Sequence, residues 1–219
     1  VKRIRRLQKD KNFRYREQAF IVEGTRMIVE LSAGSGRPQS VYCTEDWLAN
    51  PSQKAILEEA NLSSELVTNE VLAAMSDTET ASGVLAVVSK TPLPLPSPPT
   101  WVLILDALTT PGNMGTILRT AGAAAVDAIL LAPGCVDVYN PKVVRGAMGA
   151  HFRLPIHHLD WDEIVGYCSP LAIWLSEAGE GIIYTEVDWQ QASALIIGNE
   201  ARGAGREAHR AARGSVFIP

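Results

Sequence analysis

Cysteine, aromatic residues and long apolar runs are all scarce in this chain of 219 residues. Its three cysteines, Cys43, Cys135 and Cys168, are scattered with no Cys-x-x-Cys pair. That excludes a disulfide scaffold, argues against a structural zinc and fits a reducing, cytoplasmic setting. Aromatic residues make up 6%, but 47% of the chain is hydrophobic and 20% charged, so disordered and collagenous classes are excluded as well. The longest apolar runs, Trp101–Leu105 and Ala121–Val126, fall far short of the roughly 18 residues a membrane helix needs. No basic start is followed by a long apolar stretch, so no secretory leader is read. His157 and His158 are neighbours on a predicted strand, where successive side chains face opposite ways, so no metal site is expected there.

What is present is an uneven distribution of charge. The total is −4, yet residues 1–16 carry Lys2, Arg3, Arg5, Arg6, Lys9, Lys11, Arg14 and Arg16 against Asp10 alone. The arm is therefore +7 and the remainder −11. A basic arm on an acidic body suits a polyanion, because each phosphate contact releases counterions. A solvated helix end would have the same composition.

The chain divides at Thr91-Pro-Leu-Pro-Leu-Pro-Ser-Pro-Pro99, which holds five prolines in nine residues. Proline fixes φ and lacks an amide proton, so residues 91–99 read as an extended linker. Residues 1–90 then form one domain and residues 100–219 another. In the first, strands are predicted at Ala19–Val22, Ser40–Cys43, Glu65–Val67 and Gly83–Val88, with helices at Gly24–Leu31, Gln53–Ala60 and Glu70–Met75. In the second, near-continuous apolar runs at Val102–Asp106, Ala128–Leu131, Leu171–Leu175 and Ala194–Gly198 read as buried parallel strands. Helices fit Gly115–Ala125, Asn140–Met148, Trp161–Cys168 and Arg206–Ala212. This alternation predicts an α/β fold with a parallel sheet behind a smaller α/β domain.

Three segments could carry chemistry. Asn113-Met-Gly115-Thr-Ile-Leu-Arg119 follows the first strand of the second domain, with Asn113 a good helix cap and Arg119 an early helical cation. Ile197-Gly198-Asn199-Glu200-Ala-Arg-Gly203 leaves the carboxyl end of a strand, where open α/β sheets bind ligands. Gly198 and Gly203 have the spacing of P-loop glycines, but Ala204-Gly205 stand where Lys-Ser/Thr would be, which argues against nucleotide hydrolysis. A loop able to wrap an adenosine-like ligand is left, with Glu200 either organising it or merely exposed. Lys142 and Arg145 lie three apart on one helix face, placed for a phosphate or simply solvated.

In this order, Asn113-x-Gly115-x-x-x-Arg119, Asn140-Pro-Lys-Val-Val-Arg145 with Gly149-Ala150, Ile197-Gly198-Asn-Glu200-x-x-Gly203 and Ile218-Pro219 resemble the motif series of the SpoU (TrmH-like) RNA ribose methyltransferases, of the trefoil-knotted SPOUT class. The front domain is similar to the RNA substrate-binding domain many members carry, with Phe20-Ile-Val-Glu-Gly24 and Ala81-Ser-Gly-Val-Leu-Ala-Val-Val88 matching its beginning and end.

The resemblance implies methyl transfer from S-adenosylmethionine to a ribose 2′-hydroxyl of RNA. The separate front domain favours ribosomal RNA, that of the large subunit being expected, with transfer RNA or a non-catalytic RNA-binding role in ribosome assembly as alternatives. It implies that Ile197, Gly198, Asn199, Gly203, Ile218 and Pro219 bind the cofactor and that Asn113, Arg119 and Glu200 serve catalysis. A homodimer through the knotted domain is also implied. Lys2, Arg3, Arg5, Arg6, Lys9, Lys11, Arg14, Lys142 and Arg145 are then the expected RNA contacts. A guanidinium keeps its proton to above about pH 12, so Arg119 is expected to position phosphate rather than act as a base. The chain departs from the family pattern at Ala124-Ala125, where Phe-Gly is common, and at Ala147, where Ser is common. A Ser-Leu-Asn motif and a final helix are expected beyond Pro219, ordering when cofactor binds.

Overall fold

The computed structural model describes residues 1–179 and 181–219. The helices and strands run α1 (Lys2–Lys9), α2 (Lys11–Glu17), β1 (Ala19–Glu23), α3 (Thr25–Ala33), β2 (Pro38–Cys43), α4 (Glu45–Leu48), α5 (Pro51–Glu59), β3 (Glu65–Leu66), α6 (Asn69–Met75) and β4 (Val84–Ser89). After the linker come β5 (Trp101–Leu105), α7 (Pro111–Ala123), β6 (Ala128–Leu131), α8 (Pro141–Ala147), β7 (Ile156–His158), α9 (Trp161–Tyr167), β8 (Ala172–Ser176), β9 (Ile182–Ile183), β10 (Ser193–Ile197), α10 (Arg206–Ala211) and β11 (Gly214–Phe217).

Two compact units result. The first comprises Val1–Thr91 with Asp137–Arg153, and the second Pro92–Val136 with Leu154–Pro219. The division therefore differs from the one drawn at the prolines: residues 137–153, α8 included, pack with the front unit. Buried Val144 and Phe152 join the cluster of Phe20, Ile28, Leu31 and Val88, and that apolar packing carries the segment there.

The first unit is a four-stranded sheet in the order β1-β4-β2-β3. Side chains alternate across it as a pleated strand requires: Phe20 and Val22 enter one core, Ala19 and Ile21 the other. The second core also takes Ile4 and Leu7 of α1 and Phe13 of α2. The basic arm is thus two amphipathic helices whose apolar stripe is buried and whose exposed side carries the lysines.

The second unit is a seven-stranded sheet ordered β7-β6-β5-β10-β8-β11-β9, every pairing parallel. One face buries Val102, Ile104, Leu130, Ile173, Leu175, Ala194 and Ile196 in a common cluster with Ile164 and Ala208. Helix starts are set by local chemistry: Asp160 and Glu163 form a reciprocal capping box on α9, and Pro111 opens α7 with its φ already fixed. From β5 the chain goes outward through β6 to β7, whereas β10 lies on the other side of β5. That reversal is a topological switch point, where loops from neighbouring strands part and leave a crevice at the carboxyl ends. Among the described residues no helix is long and apolar enough to cross a membrane.

Candidate active site

Register fixes which loops meet at this crest. Leu105 pairs with Ile197, Ile197 with Ser176, and Ser176 with Val216. The loops after β5, β10, β8 and β11 therefore leave the sheet at one level, and they include Gly198–Gly203 and Ile218-Pro219.

The loop after β10 is closed on itself and pinned to the loop after β5. Asn199 and Gly203 exchange backbone hydrogen bonds of 2.9 Å each. The Asn199 amide donates to the Ala107 carbonyl at 2.7 Å, while its side-chain oxygen accepts from the amides of Ala201 and Arg202 at 3.0 Å each. Buried Asp106 accepts from the Gly205 amide at 2.6 Å and so fastens the far end of the loop. Two glycines are dictated by this geometry. A Cβ on Gly198 would stand 2.6 Å from the Ala204 nitrogen, and Gly203 has φ +71°, in the left-handed region.

Glu200 reaches from this loop to the start of α7. It accepts from the Thr110 amide at 3.1 Å, the Thr109 amide at 3.4 Å and Asn113 Nδ2 at 3.1 Å. Partial desolvation opposes its ionisation, but hydrogen bonds from its own amide and from Thr110 and Thr109 prevail and hold its carboxyl down at about 2. Asn113 is not the helix cap expected of it. Pro111 starts the helix one turn earlier with Thr110 at the cap position, which frees the Asn113 amide for Glu200.

Arg119 meets neither Asn113 nor Glu200. It lies on the exposed side of α7, opposite buried Met114, Leu118 and Ala121, and makes no hydrogen bond or ion pair to the described residues. Ile218 is 78% exposed, an uncovered apolar side chain at the same crest. Ile197 closes β10, with its carbonyl accepting from the Asp106 amide at 2.9 Å.

The cations belong to the first unit. Lys2, Lys9, Lys11 and Lys142 are exposed. Arg3 is engaged by Glu17 and Gln39, Arg5 by the Ala74 carbonyl, and Arg6 by Asp10 and the Phe13 ring, 4.0 Å below its guanidinium. Arg145 pairs with Asp77 at 3.5 Å. Arg14 must be withdrawn as an RNA contact. Its guanidinium is buried, with four of its five N–H donors bound to Asp137 and to the carbonyls of Leu7 and Gln8, so it is closed to phosphate.

The sequence reading missed Asp106 and the Thr109–Thr110 amides. Asp106 was legible only as the last residue of a strand. A buried carboxylate at a parallel strand's carboxyl end was the available signal. Lys90 was missed too; it sits 3.2 Å above the Tyr15 ring and 4.6 Å from that of Tyr139, and burial first, then Arg14 and Lys11, lower it to about 8 against the opposing pull of Asp137.

Fold and crest together define a parallel α/β domain with a pinned glycine loop at a switch point, coupled in sequence to a cation-bearing front unit. Comparison with known proteins makes the assignment specific. Residues 100–219 match the SpoU rRNA Methylase family and residues 1–86 the MRM3-like substrate binding domain. The chain belongs to the SpoU rRNA methylase family. The 23S rRNA (guanosine(2553)-2′-O)-methyltransferase RlmP of Bacillus subtilis is 30% identical over 195 residues, covering 88% of this chain and 76% of that protein. The mitochondrial rRNA methyltransferase 3A of Danio rerio is 38% identical over 174 residues, or 74% of this chain. The chain spans 39% of that relative's length. The SpoU methyltransferase AviRb from Streptomyces viridochromogenes, solved with AdoMet, superposes on the whole chain and 87% of its own with a TM-score of 0.88. At 23% identity that likeness speaks for the fold.

Proposed function

We propose that this chain forms an S-adenosylmethionine-dependent ribose 2′-O-methyltransferase acting on ribosomal RNA. The observation that carries the reading is the Glu200 clasp, which ties the glycine loop after β10 to the first turn of α7. A loop that can wrap a nucleoside and a helix that presents Arg119 are thereby held at one crest. The names of the Bacillus subtilis and Danio rerio relatives, both rRNA methyltransferases, support the same activity.

The residues at the crest fit the cofactor. Asn199, Asp106 and Glu200 already satisfy the loop's inner amides, so its backbone is set before a ligand arrives, and exposed Ile218 offers an apolar surface to an adenine. Ile197, Gly198, Asn199, Gly203, Ile218 and Pro219 would hold it. When bound, the cofactor supplies a methyl group on a positively charged sulfur. That methyl would be the group transferred to the ribose 2′-oxygen, with S-adenosylhomocysteine released and the hydroxyl proton given up to water. Arg119 has a free, permanently charged guanidinium, suited to hold the phosphate beside the target ribose and to stabilise negative charge growing on its oxygen. Asn113 and Glu200 keep the helix start and the loop in register.

In this reading the front unit grips structured RNA through Lys2, Lys9, Lys11 and Lys142, with Arg3, Arg5, Arg6 and Arg145 exchanging their present partners for phosphates. The methyltransferase domain carries the trefoil knot of its class and pairs as a homodimer, and the enzyme works in the cytoplasm. Titration calorimetry on the full-length protein is expected to show one S-adenosylmethionine bound per chain. No binding would reject the enzyme and favour a non-catalytic RNA-binding factor.

A further inference from the structure

We infer that Glu177 recognises the ribose of S-adenosylmethionine, its carboxylate accepting hydrogen bonds from the two ribose hydroxyls. This rests on the function proposed above but assigns a residue outside the motifs that suggested it.

Position comes from the sheet. Ser176, the last residue of β8, pairs with Ile197 on one side and Val216 on the other. Glu177 is therefore the next residue in a row between Gly198 and Phe217, the points where the two proposed cofactor segments leave their strands. Its amide donates to the Val216 carbonyl at 3.0 Å, which extends the ladder and fixes the backbone there.

Orientation comes from two neighbours. Ser215 Oγ donates to Glu177 Oε2 at 2.5 Å, and His209 Nε2 of α10 lies 3.6 Å from Oε1. The side chain is 22% exposed, so it is held without being sealed. An ionised carboxylate has about four acceptor positions, and these neighbours use at most two. On the loops after β5 and β10, Asp106 is buried against the Gly205 amide and Glu200 accepts from Thr109, Thr110 and Asn113. A carboxylate fixed by a neutral hydroxyl and left with spare acceptors suits a neutral vicinal diol. Dinucleotide-binding sheets use an acidic residue on ribose in the same way.

The test is titration calorimetry on the full-length protein with S-adenosylhomocysteine and with its 2′,3′-dideoxy counterpart. Wild type is expected to bind the first about ten- to hundredfold more tightly, the range for hydrogen bonds to a charged group. Glu177→Ala and the isosteric Glu177→Gln should lose most of that preference and bind the dideoxy compound as wild type does. Ser215→Ala should lose part of it. Circular dichroism checks that each variant is folded, Glu177→Gln serving where the alanine variant is not. Unchanged affinity for S-adenosylhomocysteine in Glu177→Gln would overturn the inference. So would an equal loss for both compounds, which would put the carboxylate on the amino-acid end instead. Wild type that binds neither compound would refute the proposed function itself, an outcome distinct from both.

Discussion

Arg14 Nη2 lies 2.6 Å from Asp137 Oδ2, with the two side chains 3% and 5% exposed. The pair ties the second helix of the basic arm to the segment that carries α8, across 123 positions of sequence. Four of the five Arg14 guanidinium N–H groups are used, its Nη1 donating to the carbonyls of Leu7 and Gln8 at 2.7 and 2.9 Å. Removing one partner of such a pair strands the other charge in the interior. Arg14→Ala is expected to destabilise the protein by about 3–5 kcal/mol in urea unfolding. A loss below about 1 kcal/mol would mean the pair is not sequestered, as exposed pairs contribute no more than that.

Lys11 is the contrasting case. It is exposed and carries its charge into solvent beside the Tyr15 ring, 5.7 Å away. Lys11→Ala should leave unfolding unchanged within about 0.5 kcal/mol. In a plot of log affinity for ribosomal RNA against log salt concentration, it should lower the slope by about one. An unchanged slope would remove Lys11 from the RNA interface.

The two glycines of the crest loop should respond differently to alanine. At Gly203 a Cβ meets nothing within 4 Å, so Gly203→Ala carries only the left-handed backbone cost, about 1–2 kcal/mol. At Gly198 a Cβ would fall 2.6 Å from the Ala204 nitrogen and 2.7 Å from the Gly203 carbonyl carbon, so the loop itself must move. Gly198→Ala is expected to abolish S-adenosylmethionine binding by calorimetry, whereas Gly203→Ala weakens it. Equal affinities in the two variants would contradict the packing described.

The Glu200 clasp has a pH signature. Its carboxyl ionises near 2 in the folded chain against an ordinary value of 4.5, so the folded state favours the charged form. The stabilisation is full above about pH 4.5 and is lost as pH falls toward 2. Following the Thr110 amide by NMR while lowering the pH should give a midpoint near 2. A midpoint near 4.5 would show that the clasp does not form in solution.

Much of this was legible beforehand, because near-continuous apolar runs such as Ala128–Leu131 admit little but a buried strand. Gly214–Phe217 was not legible as β11, since a short run beginning Gly-Ser carries no periodicity and is recruited by pairing with β8. That residues 137–153 pack with the front unit was not legible for a related reason: the packing of Val144 and Phe152 on Phe20 is tertiary and leaves no local mark. In the site, motif order located Asn113, Gly198 and Glu200, but the clasp between them depends on Thr109 and Thr110 amides, which any residue types could supply. Arg14 shows the converse. Composition alone cannot separate a solvated arginine from one buried against an aspartate far along the chain.

The proposed activity stands most directly on where a methyl group goes. Full-length protein should be incubated with ribosomal RNA and S-adenosylmethionine carrying a trideuterated methyl group, and the RNA digested to nucleosides for mass spectrometry. The label is expected on the 2′-oxygen of one ribose, and Arg119→Ala should abolish it while leaving cofactor affinity within about twofold, since a positioning cation acts on the transition state rather than on cofactor binding. Label on a base, or RNA left unlabelled by wild type that binds the cofactor, would contradict it.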